Sequence, residues 1–366
     1  MIISDGSNKE NFSKLKSKEN KEIEVIQEKK YYPTDDIGKG IGMINGAIAA
    51  IKQGFENIGY IDGDIYNSNI SKWFDFLFEP LERDIDIVRT SFLRNPADGQ
   101  ITRHITKPLI AMNLPEAWQI DQPLGGELSI KADVLKKIFN NGIKPPNGWG
   151  IDTFITMKTL IHGYKMGEVF LGQKMHGKKT LTNLQKMFIQ CYTEAVRMIQ
   201  YLEELKVKKK THPIIKISSP FERNNTFDSS YMKIDEEVMR SIKTFKLIKP
   251  LNIPHDDIFL EIKKVDEFKD FIEKTKNINA NIWVEHLYWM AKNYRPELMN
   301  QYYIRWKIRA LTFCLHEIHT VEQAEEITIK QSKTATDFIN KIISQKAYID
   351  DDERKMYYYK KNEEIF

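Results

Sequence analysis

Cysteine is nearly absent: among 366 residues only Cys191 and Cys314 occur, far apart in the chain. Two distant thiols give no disulfide framework and fit a reducing compartment, where they read as buried packing. Long apolar runs are missing as well. The longest falls well short of the ~20 residues that a membrane helix needs, so no spanning segment is expected. Met1-Ile2-Ile3-Ser4-Asp5-Gly6 lacks the basic start, apolar stretch and small-residue cleavage site of a secretory signal. The expectation is a cytoplasmic protein with no membrane partner. Charge of one sign is scarce too, since a net +4 spread over this length is too little to imply a nucleic-acid partner. The richest basic run, Lys206-Val207-Lys208-Lys209-Lys210, sits where a helical pattern ends and reads as a solvated helix C-terminus, which favours cations. No internal repeat is found.

What remains is globular composition, 41% hydrophobic and 29% charged, in a chain long enough for two ordinary domains or one elaborated domain. Ile2-Ile3 reads as a short buried strand ending in a turn, polar residues run to Asn20, and Ile23, Val25 and Ile26 suggest a second strand. After a loop from Gln27 to Gly40, the residues Ile44, Ala47, Ile48, Ile51 and Phe55 keep the spacing of one buried helical stripe. Ile58-Gly59-Tyr60-Ile61 then reads as a strand that delivers Asp62-Gly63-Asp64 to its C-terminal end. Strand, loop, helix, strand is the alternation of an open parallel α/β sheet, whose ligands bind beyond the carboxyl ends of the strands. Ile85 to Phe92 reads as another strand, Ile101 to Met112 as a helix or extended segment, and Asp152 to His162 and Asn183 to Lys206 as helices. From there to Phe366 helical patterns dominate, notably Glu285 to Lys292 and Tyr302 to Ile318, and the stretch from Lys330 is charged enough to be loosely attached. The expected division is a sheet domain over 1–182, a helical domain over 183–329 and a charged tail over 330–366.

Strand alternation would put the Asp62 and Asp64 carboxylates on one side and Gly63 opposite, an arrangement of hard oxygens suited to Mg²⁺ or Mn²⁺ bridging a diphosphate. An isolated Asp-X-Asp also occurs by chance in many loops. It has company here: Gly38-Lys39-Gly40-Ile41-Gly42-Met43, Gln122-Pro123-Leu124-Gly125-Gly126-Glu127-Leu128, Trp149-Gly150-Ile151-Asp152-Thr153, and His176. Taken in this order and spacing, these motifs resemble the mannosylglycerate synthase family and its glucosylglycerate-forming relatives. The resemblance runs from Met1 to about Ile199, and its most specific element is the run from Gln122 to Leu128.

That resemblance implies a GT-A glycosyltransferase, α/β in class, with a Rossmann-like nucleotide-diphospho-sugar sheet followed by a mainly helical domain. It also implies that the sheet lacks the family's first strand and helix. The implied reaction is transfer of a hexose, mannose favoured, from a nucleotide diphosphate sugar such as GDP-mannose or UDP-glucose to D-glycerate or a similar small hydroxy acid. The product would be a glycoside of the compatible-solute type with retained anomeric configuration.

Carried over by position, Asp62, Asp64 and His176 would hold the divalent cation, Mg²⁺ or Mn²⁺. Gln27 and Lys39 would join Asp62 and Asp64 at the donor, and Arg94, Asp98 and Thr102 would hold the acceptor. Leu124, Gly125 and Asp152 would face the transferring sugar. The physical chemistry agrees, because an arginine fork grips a carboxylate through two parallel hydrogen bonds and a cation neutralises charge on a departing diphosphate. Each residue has a plainer reading: Lys39 as a surface loop lysine, Arg94 as an exposed ion-pair partner, Asp152 as a helix cap. The alternative for the whole chain is an inactive glycosyltransferase-like binding or assembly module, short of donor binding, whose helical half joins copies into a homo-oligomer.

Overall fold

The computed structural model describes residues 1–28, 38–66, 70–177, 180–205, 212–223, 233–318 and 320–346. The lysine run at 206–210, most of the loop expected after Gln27, and the stretch beyond 346 lie outside the described residues.

In chain order the first half comprises β1 (Ile2–Asp5), α1 (Lys9–Lys16), β2 (Glu24–Gln27), α2 (Lys39–Lys52), β3 (Asn57–Tyr60), α3 (Ser71–Phe78) and β4 (Ile87–Leu93). A π-helical turn over Thr102–Thr106 leads into α4 (Lys107–Asn113), and β5 (Leu128–Lys131), α5 (Ala132–Asn140), α6 (Ile151–Ile161), β6 (Met166–Gln173), α7 (Gln185–Glu204) and β7 (Ile215–Ile217) follow. The second half is helical: α8 (Ile234–Phe245), α9 (Asp256–Leu260), α10 (Phe268–Thr275), α11 (Ala280–Lys292), α12 (Met299–Thr312) and α13 (Val321–Lys346). None of the described helices is long and apolar enough to cross a membrane.

The class is α/β with a mainly helical second half, but the expected single open parallel sheet is corrected in two respects. First, β1 and β2 pair in parallel as a sheet of their own, while β3 opens a separate five-stranded sheet of order β3-β5-β4-β6-β7. Second, that sheet is mixed, because β5 runs antiparallel to both β3 and β4, whereas β4, β6 and β7 run parallel. The chain between β4 and β5 is helical, through the Thr102–Thr106 turn and α4, and the Gln122–Leu128 run then returns it so that β5 enters against the direction of β4.

The apolar pattern fixes how helices cover the sheet. Ile41, Met43, Ile44, Ala47 and Ala50 of α2 are buried, whereas Phe55, expected at the end of that stripe, lies past the helix and is 53% exposed. Helix α6 is buried on every side, including its threonines, because it lies under α7 and behind the sheet. Phe154, Ile155, Met157 and Leu160 join one continuous apolar core that runs from the sheet through α7 into α11 and α12. Side chains of this kind each contribute roughly 1.5–3 kcal/mol when fully buried.

Two stretches read as polar from sequence are helical. Helix α1 buries no side chain and is held by the Asn8 side-chain cap on Asn11 N–H at 3.0 Å. Helix α13 passes straight through position 330, the expected start of a loose tail, and buries Gln331, Ser332 and Ala335. It packs on α4, where the Thr336 hydroxyl donates to Ala111 O at 3.1 Å. Small and hydroxylated residues allow this close approach, which a charge count along the sequence does not register.

Candidate active site

Helix α2 begins at Gly38-Lys39-Gly40, and its first turn lies against the 146–147 backbone, with Ile41 N–H donating to Asn147 O at 3.1 Å. A Cβ on Gly40 would collide with Pro146 O, so only glycine permits this approach. The contact aims Lys39 inward. Its Nζ lies 2.9 Å from Asp62 Oδ1, 2.9 Å from Asp152 Oδ2 and 5.8 Å from the centre of the Trp149 ring.

Strand β3 ends at Tyr60, so Asp62-Gly63-Asp64 occupies the turn beyond it and strand alternation does not govern the two carboxylates. Their surroundings differ instead. Asp62 is held between Lys39 and Lys174, the latter at 3.0 Å, while Asp64 is exposed. A backbone bridge from Ile65 to His176, with Tyr66 N–H donating to Met175 O at 2.9 Å, brings the distant histidine beside the Asp-Gly-Asp turn.

Opposite stand the residues that follow β4. Arg94 Nη1 lies 3.4 Å from Asp98 Oδ2, and Asp98 Oδ2 lies 3.1 Å from His176 Nε2, so Asp98 bridges the arginine and the histidine. Arg94 also donates from Nε to Gln122 Oε1 at 3.0 Å. The Gln122–Leu128 run is pinned from beneath by fully buried Arg89, which donates to Gly125 O at 2.7 Å and to Asp152 O at 2.9 Å. Thr156 of α6 adds a hydrogen bond to Pro123 O at 2.8 Å.

One cavity of about 330 Å³ is lined by Lys39, Asp62, Asp64, Arg94, Asp98, Thr102, Leu124, Asp152 and His176, with Trp149 and Lys174. Gly125 sits directly behind Leu124 and does not line it. Gln27 is not brought there either: it ends β2, is exposed and pairs with Asp5. Lys178 and Lys179, beside His176 in sequence, lie outside the described residues.

Electrostatics in the cavity follow from burial and pairing. Burial opposes the charge on Lys39, but the carboxylates of Asp152 and Asp62 outweigh it and hold the ammonium well above its ordinary value. Burial likewise opposes ionisation of Asp62 and Asp98. Lys39 and Lys174 overcome it at Asp62, and Arg94 and His176 overcome it at Asp98, so both carboxyls fall well below the usual range. Burial pushes the Asp152 carboxyl up against the pull of Lys39 and Arg89, and its Oδ1 is buried without a hydrogen bond. The hydrogen bond to Asp98 raises the His176 imidazole against the effect of burial.

Three contributors escaped the sequence reading: Lys174, Glu127 and Arg89. Lys174 lies 2.7 Å from fully buried Glu127 as well as touching Asp62. Only the placement of Lys174 two residues before His176 and of Glu127 inside the specific run offered a signal. Arg89, within the buried strand β4, offered its charge, since an arginine buried on both faces of a sheet needs acceptors.

Among the described residues no three His, Cys, Asp or Glu side chains are gathered as a ready-made metal cage. The donor set fits a site completed by substrate through a change of partner: Asp64 is exposed, whereas His176 holds Asp98 through Nε2 and Gly177 O through Nδ1 and would exchange one of them for the cation. Mg²⁺ in particular is commonly held by one or two carboxylates and the phosphates it serves.

A family model described as mannosylglycerate synthase, GT domain, matches residues 7–197. The mannosylglycerate synthase of Selaginella moellendorffii is 29% identical over 186 residues, 49% of this chain and 44% of that protein. The mannosylglycerate synthase of Rhodothermus marinus is 27% identical over 187 residues, 48% of this chain and 46% of that protein. The chain thus spans less than half the length of these two relatives. Among solved structures, glucosyl-3-phosphoglycerate synthase from Mycobacterium tuberculosis, in complex with Mn²⁺, UDP-glucose and phosphoglyceric acid, is similar with a TM-score of 0.44. That match is 20% identical and covers 54% of this chain and 67% of that one.

Proposed function

The chain belongs to the mannosylglycerate synthase glycosyltransferase-domain family, and from that premise we propose that it transfers a hexose from a nucleotide diphosphate sugar to a small hydroxy acid of the glycerate class. The observation that supports this most is that one cavity gathers Lys39, Asp62, Asp64 and His176 with Arg94, Asp98 and Thr102, the two groups meeting where His176 holds Asp98. The first group suits a diphosphate and its counter-ion. The second suits an organic acid, with the Arg94 fork on the carboxylate and Asp98 and Thr102 orienting hydroxyls.

Asp64 and His176 would hold the divalent cation, with Asp62 behind them already engaged by two lysines. The cation, Mg²⁺ or Mn²⁺, supplies neutralisation of charge on the departing diphosphate. Lys39 keeps its proton throughout and adds fixed positive charge on the same side. Asp152, next to Lys39 at the head of α6, serves the sugar hydroxyls. The backbone at Leu124 and Gly125 forms a floor held by Arg89 at Gly125 O and by Thr156 at the adjoining Pro123 O.

Asp62, Asp98 and Asp152 are each bound to a cation, which disfavours their attacking a sugar carbon. Transfer on the leaving-group face with retained configuration, the leaving phosphate taking the acceptor proton, accords with that pairing. The test supplies GDP-mannose and UDP-glucose in turn with glycerate and Mn²⁺ or Mg²⁺, and reads the product's anomeric coupling by NMR. An α-linked glycoside from an α-donor is expected. Absence of product from both donors, or an inverted anomer, overturns the reading.

A further inference from the structure

A second cavity, of about 350 Å³, meets the first at Arg94, Gly99 and Thr102, which line both. Its far wall comes from β7, the segment after it and α13, through Lys216, Arg223, Glu325, Thr328 and Ile329. These all lie beyond the residues that the family model matches. The cavity is therefore closed by a part of the chain outside the shared domain, while Arg94, Arg103 and Lys107 reach it from within that domain.

Five cationic side chains line it: Arg94, Arg103, Lys107, Lys216 and Arg223. The carboxylates nearby are already engaged. Lys216 lies 3.1 Å from Asp121 and 2.5 Å from Glu168, and Glu168 also accepts the Asp121 and Gln122 backbone N–H groups. Arg223 takes Glu325 at 2.6 Å. Arg103 spends its donors on Asp98 O, Ala324 O and Thr328 Oγ1.

Lys107 is the exception. It opens α4, is 2% exposed and lines the cavity, yet has neither a hydrogen bond nor an ion pair among the described residues. An ammonium taken out of water without a partner is costly. Burial accordingly lowers it to about 8, with Asp121 and Glu168 acting only at a distance. A cation kept in that position, in a cavity with room beside it, is what an arriving anion would satisfy.

We propose that this cavity is a second anion subsite that takes the phosphate of a phosphorylated hydroxy acid whose carboxylate lies on Arg94. The inference rests on the acceptor role of Arg94 and narrows the acceptor class to acids carrying two anionic groups. Lys107 faces the phosphate, and α13 closes the subsite behind it.

The test is calorimetry on the full chain without any sugar donor, titrating 3-phosphoglycerate, glycerate and inorganic phosphate separately. Phosphoglycerate is expected to bind at least tenfold more tightly than either of the others. Lys107→Met should reduce that preference to near parity, and Ile329→Trp, which narrows the cavity from α13 without altering charge, should do the same. Melting curves establish that both variants fold. Equal affinity for glycerate and phosphoglycerate, inorganic phosphate binding as tightly as phosphoglycerate, or a preference unchanged in both variants would each overturn the subsite. Because no transfer is measured, failure of the glycosyltransferase reading would show separately, as binding without product.

Discussion

In the first half of the chain, Lys39, Asp62, Asp98, Asp152 and Lys174 carry their charges on the wall of a cavity. In the helical half, Arg305, Lys307 and Arg309 are buried more deeply, and their donors go to protein groups. Arg305 donates to Asp256 at 2.8 Å and to Lys249 O at 2.8 Å. Lys307 reaches Thr182 at 2.8 Å and Glu237 at 3.3 Å, and Arg309 reaches Glu317, Gln331 and Ile278 O. Neither cavity is lined by any of these three. Buried charge in these helices thus locks the fold, whereas the charges on the cavity wall also border open space that a ligand can reach.

That contrast can be broken at both ends. The largest effect on stability belongs to the helical half: Asp256→Ala leaves Arg305 buried without its carboxylate and should cost about 3–5 kcal/mol in chemical denaturation. Ligand binding by the remaining folded protein should be unchanged. Lys107, beside the second cavity, should behave in the opposite sense. Its folded value of about 8 lies below the ordinary 10.5, so the unfolded chain binds the extra proton between those values and stability gains as pH rises through that window. Relative to Lys107→Met, the wild-type chain should gain about 3 kcal/mol from pH 8 to 10.5 and be the less stable of the two at pH 7.

A smaller stability change with a larger functional one is expected from Gly126→Ala. A Cβ there would collide with the Asp62 carboxylate. The variant should lose about 1–3 kcal/mol while sugar transfer falls at least tenfold. The mildest case is Thr156→Val, which removes one buried hydrogen bond to Pro123 O and should cost about 1 kcal/mol. Loosening the floor under Leu124 should show as a higher acceptor KM with kcat little changed.

The same contrast explains what could be read from sequence. Apolar stripes or runs announced α2, α6 and α7 and the strands β2, β3 and β4, because each buries apolar side chains, on one face in α2 and α7 and on all sides in α6 and β4. It did not announce α1, which has no buried face, or the course of α13 beyond Lys330, which packs with Ala335 and hydroxyls. Site residues carried by a motif, such as Lys39, Asp62, Arg94 and His176, stood out. Lys174, Arg89 and Glu127 did not, since each acquires its role only from groups brought near by the fold. Gln27 shows the converse, a motif residue whose strand pairs away from the cavity. Phe55 shows how a helical stripe can outrun its helix, since α2 stops at Lys52 and the chain turns at Gly54.

In the proposed reading, the Asp-Gly-Asp turn and the remote His176 form one cation site completed by a nucleoside diphosphate. The most direct measurement titrates GDP and UDP into the chain with and without Mn²⁺, for the wild type and for Asp64→Asn/His176→Gln. The account predicts that Mn²⁺ tightens binding of one nucleotide at least tenfold in the wild type, that Mn²⁺ alone binds weakly, and that the double variant loses the coupling. Nucleotide affinity indifferent to Mn²⁺, or coupling that survives in the variant, would contradict it.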